Sequence, residues 1–177
     1  NVTTGTISAW VKYDSFDTSA TQDYYHPCIM AKGNVYWSLT YNNSKIPLLY
    51  YYNSSGYEIT TILGTTVLTT DRWYHISYVW TPTTSKIYVD GVLEGSYTNI
   101  GIGYNLHASA VGKEVRMSQV PYASADYLDG QIRDVKVLTS ALTDGDVRKL
   151  YSGENPKKNL NVNLITNGTF DADSDWS

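Results

Sequence analysis

Acid–base, nucleophilic or metal chemistry in this 177-residue chain would have to come from Glu58, Glu94, Glu114 and Glu154, from His26, His75 and His107, or from Cys28. Glycoside cleavage with retention needs two carboxylates about 5 Å apart. The four glutamates are isolated from one another in the sequence, so no such pair is marked. The histidines are dispersed and form no short-spaced pair of the kind zinc sites use. His75 falls among aromatic residues within an alternating run, where a hydrogen-bonded structural role is expected. Cys28, between Pro27 and Ile29, reads as a small buried hydrophobe. Lys113 and Glu114 follow Gly112 without forming a phosphate loop. Enzymatic activity is therefore not expected.

Binding chemistry is better represented. Asp14, Asp17, Asp23, Asp126 and Asp129 lie in polar, turn-rich stretches, and flexible loops carrying hard oxygen ligands are what calcium prefers. Asp14, Asp17, Asp126 and Asp129 are the candidate calcium ligands, although no dense Asp-x-Asp run marks a site and loop aspartates commonly serve turns. Asp23, Tyr24 and Tyr25, with Tyr122 and Asp126, form a candidate glycan-binding group. Aromatic rings would face the C–H side of a sugar while carboxylates take its hydroxyls.

These loops need a scaffold, and the composition indicates which kind. Seventeen tyrosines and many threonines favour strands, whose pleated surfaces suit aromatic and branched side chains. With 42% hydrophobic and 17% charged residues, the chain is expected to fold as one domain plus a fragment of another. A net charge of -4 and no basic run beyond Lys157 and Lys158 exclude a polyanion footprint. No stretch approaches the ~20 apolar residues of a membrane-spanning helix, so no membrane insertion is expected. The start, NVTTGTISAW, lacks signal-peptide regions and begins mid-strand, as an excised segment would. One cysteine permits no intrachain disulfide, so packing alone must hold the fold.

Periodicity supplies the elements. Thr6 to Tyr13 alternates, with Ile7, Ala9 and Val11 on one side and Ser8, Trp10 and Lys12 on the other. Short strands are expected at Cys28–Ala31, Val35–Tyr41 and Leu48–Tyr52, one or two within Tyr57–Leu68, and one near Ser109–Gly112. Trp73 to Trp80 presents Ile76, Tyr78 and Trp80 on one face, Thr81 to Ser85 turn the chain, and Lys86 to Val89 return it. Asp90-Gly91 then suits a two-residue hairpin turn, because both residues must take positive φ. Along Gln131 to Leu138 the alternation slips, and a bulge near Arg133-Asp134 would bring Ile132, Val135 and Val137 to one side. Thr143 caps the one credible helix, with Asp144 and Asp146 near its positive end, Val147, Leu150 and Tyr151 on one side, and Gly153 after it.

In order and spacing, TISAWVK (Thr6 to Lys12), IMAKG (Ile29 to Gly33), DRWYHISYVW (Asp71 to Trp80), KIYVDGVLEG (Lys86 to Gly95) and LDGQIRDVKVLTSALTDGDVRKLY (Leu128 to Tyr151) resemble laminin-G-like domains of the concanavalin A-like lectin/glucanase superfamily. The resemblance implies an all-β, two-sheet antiparallel jelly-roll sandwich with one short C-terminal helix. It covers residues 1–155, with the strand that usually precedes the ISAWVK element missing. The hydrolases of that superfamily carry a Glu-x-Asp-x-x-Glu run, which this chain lacks. Related domains often hold calcium at the sheet rim, so calcium is the one cofactor the resemblance suggests. Residues 156–162 read as a linker, and 163–177 look like the opening of a carbohydrate-binding-type module of virion proteins. The combination is similar to phage tail fibres, capsid decorations and bacterial surface adhesins. Host-surface glycan or neighbouring virion proteins are the implied partners, within a larger homo-oligomer at a virion or bacterial surface. A subunit-packing spacer is the alternative role.

Overall fold

A computed structural model describes residues 4–18, 26–32, 37–52, 59–98, 115–118 and 127–154, and among them ten strands and one helix form, numbered in chain order. They are β1 (Gly5–Tyr13), β2 (Met30–Lys32), β3 (Trp37–Tyr41), β4 (Pro47–Tyr52), β5 (Ile59–Leu63), β6 (Trp73–Trp80), β7 (Thr84–Val89), β8 (Val92–Thr98), β9 (Val115–Met117), β10 (Gly130–Leu138) and α1 (Asp144–Tyr151). The candidate glycan group Asp23, Tyr24, Tyr25, Tyr122 and Asp126 lies outside the described residues, as do the strand expected near Ser109–Gly112, the linker and the segment 163–177.

Two five-stranded sheets result, in the orders β10-β1-β6-β7-β8 and β5-β4-β3-β2-β9, with antiparallel pairing throughout. Their inner faces meet in one core. Ile7, Ala9, Val11, Ile76 and Ile87 from the first sheet pack with Met30, Leu39, Leu49 and Ile62 from the second. This is the two-layer sandwich that the alternation demands, since each sheet must bury one face.

Local chemistry sets the turns. Thr81 receives backbone N–H bonds on its hydroxyl from Thr83 (3.3 Å) and Thr84 (3.0 Å), which closes the first hairpin within four residues. Strand β7 therefore starts at Thr84, two residues earlier than the pattern suggests. Asp90 (φ 49°) and Gly91 (φ 76°) make the expected two-residue turn between Val89 and Val92. The Asp90 carboxylate accepts from the His75 backbone N–H at 2.9 Å and from Arg72 at 2.8 Å, anchoring that turn to β6.

Both edges of the first sheet carry bulges. In β10 the register against β1 shifts between Ser8 and Trp10, with Asp134 at φ 52°. Val135 is buried, and Ile132 and Val137 pack against the same core, so the slip in alternation is a bulge at the expected place. In β8 the register shifts by one so that Glu94 is the extra residue, and Gly95 follows. A Cβ on Gly95 would lie 2.1 Å from the Leu63 carbonyl oxygen, so this close approach of the two sheet edges requires glycine. Two further details depart from the sequence pattern. Pro47 begins β4, a position that tolerates its missing N–H, and the three-residue β9 pairs with β2 although it shows no periodicity of its own.

Helix α1 covers part of the first sheet's outer face. Val147 and Leu150 pack with Leu142 onto Val79, Tyr88 and Leu138 in a second, smaller cluster. Thr143 caps it, and Asp146 completes a reciprocal capping box. Asp144 accepts from Lys86 Nζ and Tyr88 Oη, both at 2.8 Å. The bond from Lys86 and then that from Tyr88 hold its carboxyl below the usual range.

Candidate functional site

Strand β1 leaves the core at Tyr13, and several polar residues gather at that end. The Asp14 N–H donates to the Asp129 carbonyl at 2.9 Å, the Ser15 hydroxyl to an Asp129 carboxylate oxygen at 2.6 Å, and the Asp71 N–H to the Tyr13 carbonyl at 3.0 Å. Asp129 reaches this position because Gly130 pairs with Tyr13 in the sheet. Lys12 Nζ lies 3.7 Å from the Asp14 carboxylate, and the Asp17 N–H donates to Tyr41 Oη at 3.1 Å. Of the candidate calcium ligands, Asp14 and Asp129 thus come together and Asp17 is fixed nearby. Among the described residues no group of three or more His, Cys, Asp or Glu side chains is placed to hold a metal.

An aromatic group underlies this rim. Tyr13 stacks on Phe16 at 4.7 Å and meets Tyr41 edge-on at 5.4 Å, while His26 stacks on Tyr41 at 5.0 Å. Tyr13, Tyr41 and His26 are buried, so they fix the rim in place rather than offer ring faces to solvent. The Tyr13 hydroxyl and both His26 ring nitrogens have no hydrogen-bond partner among the described residues. Burial, then Tyr41 and Cys28, raise the Tyr13 phenol well above its ordinary range. No periodic pattern in the sequence marks this floor. Its one visible signal is Phe16, an apolar residue in an otherwise polar stretch.

The same end brings together the flanks of both segments that carry the candidate glycan group. Ser118 donates its N–H to the Ile29 carbonyl at 3.4 Å and accepts from the Leu128 N–H at 2.7 Å. Residues 19–25 run between Asp17 and His26, and 119–126 between Ser118 and Leu128. Their ends are held within one bonded network.

Elsewhere the chemically capable residues have structural engagements. The Glu94 carboxylate accepts from the N–H groups of Thr65 (2.8 Å) and Thr66 (3.0 Å) and from the Thr66 hydroxyl, tying β8 to the loop after β5. Glu154 accepts from Ser152 at 3.2 Å beyond the helix. His75 Nε2 bonds the Ser8 hydroxyl at 2.8 Å, and burial, with Lys136 adding to it, lowers its pKa to about 4. A nucleophilic Ser–His pair would need a group orienting Nδ1 and a route for substrate. Nδ1 has no partner among the described residues, Asp90 bonds the backbone of His75 instead of its ring, and Ser8 is fully buried. Cys28 is buried as expected.

Comparison with solved structures returns sandwiches of the same kind. The Ruminococcus gnavus sialidase CBM40 bound to α2,3 sialyllactose aligns with a TM-score of 0.65 at 14% identity, covering 84% of this chain and 82% of that one. The heptameric SAP-like pentraxin of Limulus polyphemus gives 0.64 at 17% identity, covering 92% and 76%. A carbohydrate-binding protein described from Bacteroides ovatus gives 0.59 at 15% identity over 84% of this chain, which spans 40% of that protein. At these identities the likeness establishes the jelly-roll fold. No match is found among curated protein sequences. A laminin-G-type family model covers residues 1–148, and the chain belongs to the concanavalin A-like lectin/glucanases superfamily.

Proposed function

We propose that this chain is a non-catalytic glycan-binding module acting at the rim formed by Asp14, Ser15 and Asp129. The observation that carries the reading is the bonded network at that end. It holds together the flanks of the two segments that bear Asp23, Tyr24, Tyr25, Tyr122 and Asp126. Binding residues on loops held by a rigid scaffold are the usual arrangement for recognition. The carbohydrate-binding neighbours support it, and so does the engagement of Glu94 in loop bonding. Asp14 and Asp129, joined by Asp126 and Asp17, are the residues that would hold calcium, which would supply a charged centre for sugar hydroxyls. The setting we propose is the surface of a virion, in a tail fibre or capsid decoration, as part of a homo-oligomer in which 163–177 open a second module.

Glycan-array binding of the chain, with and without calcium, tests this. Binding should appear for a defined set of glycans and fall by about tenfold in Tyr24→Ala or Tyr122→Ala, the loss of roughly one good contact. Absence of glycan binding, or full tolerance of both substitutions, would favour a spacer role instead. Calorimetry with calcium chloride on the wild type and Asp129→Asn tests the metal independently.

A further inference from the structure

The outer face of the first sheet carries cations that make no ion pair among the described residues. Strand pairing sets Arg133, Trp10 and His75 in one row across β10, β1 and β6, with Lys136, Ser8 and Ser77 in the next. The Arg133 guanidinium lies 4.2 Å from the Trp73 ring centroid and 5.4 Å from that of Trp10. Tyr151, from the last turn of α1, stacks on Trp10 at 5.6 Å and is 40% exposed. Among the described residues neither Arg133 nor Lys136 makes an ion pair. The nearby acids are engaged or apart. Asp90 bonds Arg72, Asp14 faces Lys12, and exposed Asp134 at the bulge bonds neither cation.

This arrangement leaves bonding capacity unused. An arginine fork ordinarily meets a carboxylate through two parallel N–H bonds. Here the half-buried Arg133 has an Nε–H with no hydrogen-bond partner among the described residues. The indoles also orient the guanidinium, so little side-chain entropy remains to be lost when a ligand meets it.

We infer that this face, between β10, β1, β6 and the end of α1, is a second ligand site that takes a carboxylate-bearing sugar residue. The carboxylate bonds Arg133, Lys136 supplies further positive charge, and the sugar ring rests against the half-buried Trp73 and the exposed part of Tyr151. Charge complementarity sets the sign of the ligand, and the aromatic flank selects a ring with an apolar C–H side over a simple anion. The inference extends the proposed function to another face and does not depend on the rim.

The test follows the Arg133 Nε–H and the Trp10 and Trp73 indole N–H resonances of the ¹⁵N-labelled chain. The probes are trigalacturonate, its carboxyl-reduced neutral trimer, and acetate at matched carboxylate concentration. Trigalacturonate should shift these resonances saturably, with the neutral trimer at least about tenfold weaker and acetate not saturating. Lys136→Gln leaves the aromatic stack intact and should weaken binding several-fold, and Arg133→Gln should abolish it. Tyr24→Ala, which should weaken binding at the rim, should leave these outer-face shifts in place. The inference is overturned if trigalacturonate does not saturate, if neutral trimer or acetate matches it, if Lys136→Gln binds as wild type, or if Tyr24→Ala removes the shifts.

Discussion

The two faces of the β10-β1-β6-β7-β8 sheet are made by alternate residues of the same strands, yet they are built to different standards. On the inner face Ile7, Ala9, Val11 and Ile76 are apolar, buried and fully packed. On the outer face Ser8, His75 and Ser77 are buried as well, but two of the three have polar atoms without partners among the described residues. The inner face is built for packing, whereas the outer face carries polar atoms and cations that find no partner among the described residues. Stability and recognition are thus separated by the two-residue period of a strand.

The largest effect belongs to the inner face. Ile76→Ala removes a fully buried side chain where neighbours on both sheets limit collapse. It should cost about 3–4 kcal/mol in urea unfolding. A cost below about 1 kcal/mol would show that the inner face is not the tightly packed one.

Acid should act through the outer face. His75 titrates near pH 4 in the fold, against 6.5 in an unfolded chain. The unfolded chain therefore binds this proton first on acidification, so the penalty is absent above pH 6.5, grows as pH falls toward about 4, and is constant below it. The full loss is on the order of 3 kcal/mol. His75→Gln should flatten this limb of the stability-versus-pH curve. An unchanged limb would assign the acid response to other groups.

The same separation explains what was legible in the sequence. Alternation in β1 and β6, the Asp90-Gly91 turn, the bulge at Asp134 and the Thr143 cap are local patterns, and each is where it was expected. Short-range rules fail for β9, whose three residues are strand only because Met30–Lys32 offers a partner. They also fail for the outer cluster, because Arg133, Trp10 and His75 come from strands far apart in the chain and meet only through register. For the candidate site, residue type picked out Asp14 and Asp129. Only pairing of Tyr13 with Gly130 shows that they are neighbours, and the aromatic floor beneath them has no local signature.

A smaller effect lies at the sheet's edge. Glu94 engages two backbone N–H groups and a hydroxyl of a partly exposed loop, which water could otherwise satisfy. Glu94→Ala should cost about 1–2 kcal/mol and speed amide exchange at Thr65 and Thr66. Unchanged exchange at both amides would mean that the loop is held by other contacts.

The smallest expected effect is the most discriminating. Ser77 follows Ile76 directly, is equally buried, and has a hydroxyl with no partner among the described residues. Removing a bonded buried hydroxyl costs stability, but removing an unbonded one relieves a desolvation penalty. Ser77→Ala should therefore be neutral or stabilising by up to about 1 kcal/mol, beside a neighbour whose truncation costs several times that. A loss above about 1 kcal/mol on Ser77→Ala would show that the hydroxyl is bonded in solution. The outer face would then hold one fewer unused polar group, and its contrast with the apolar run of Ile7, Ala9, Val11 and Ile76 would fail.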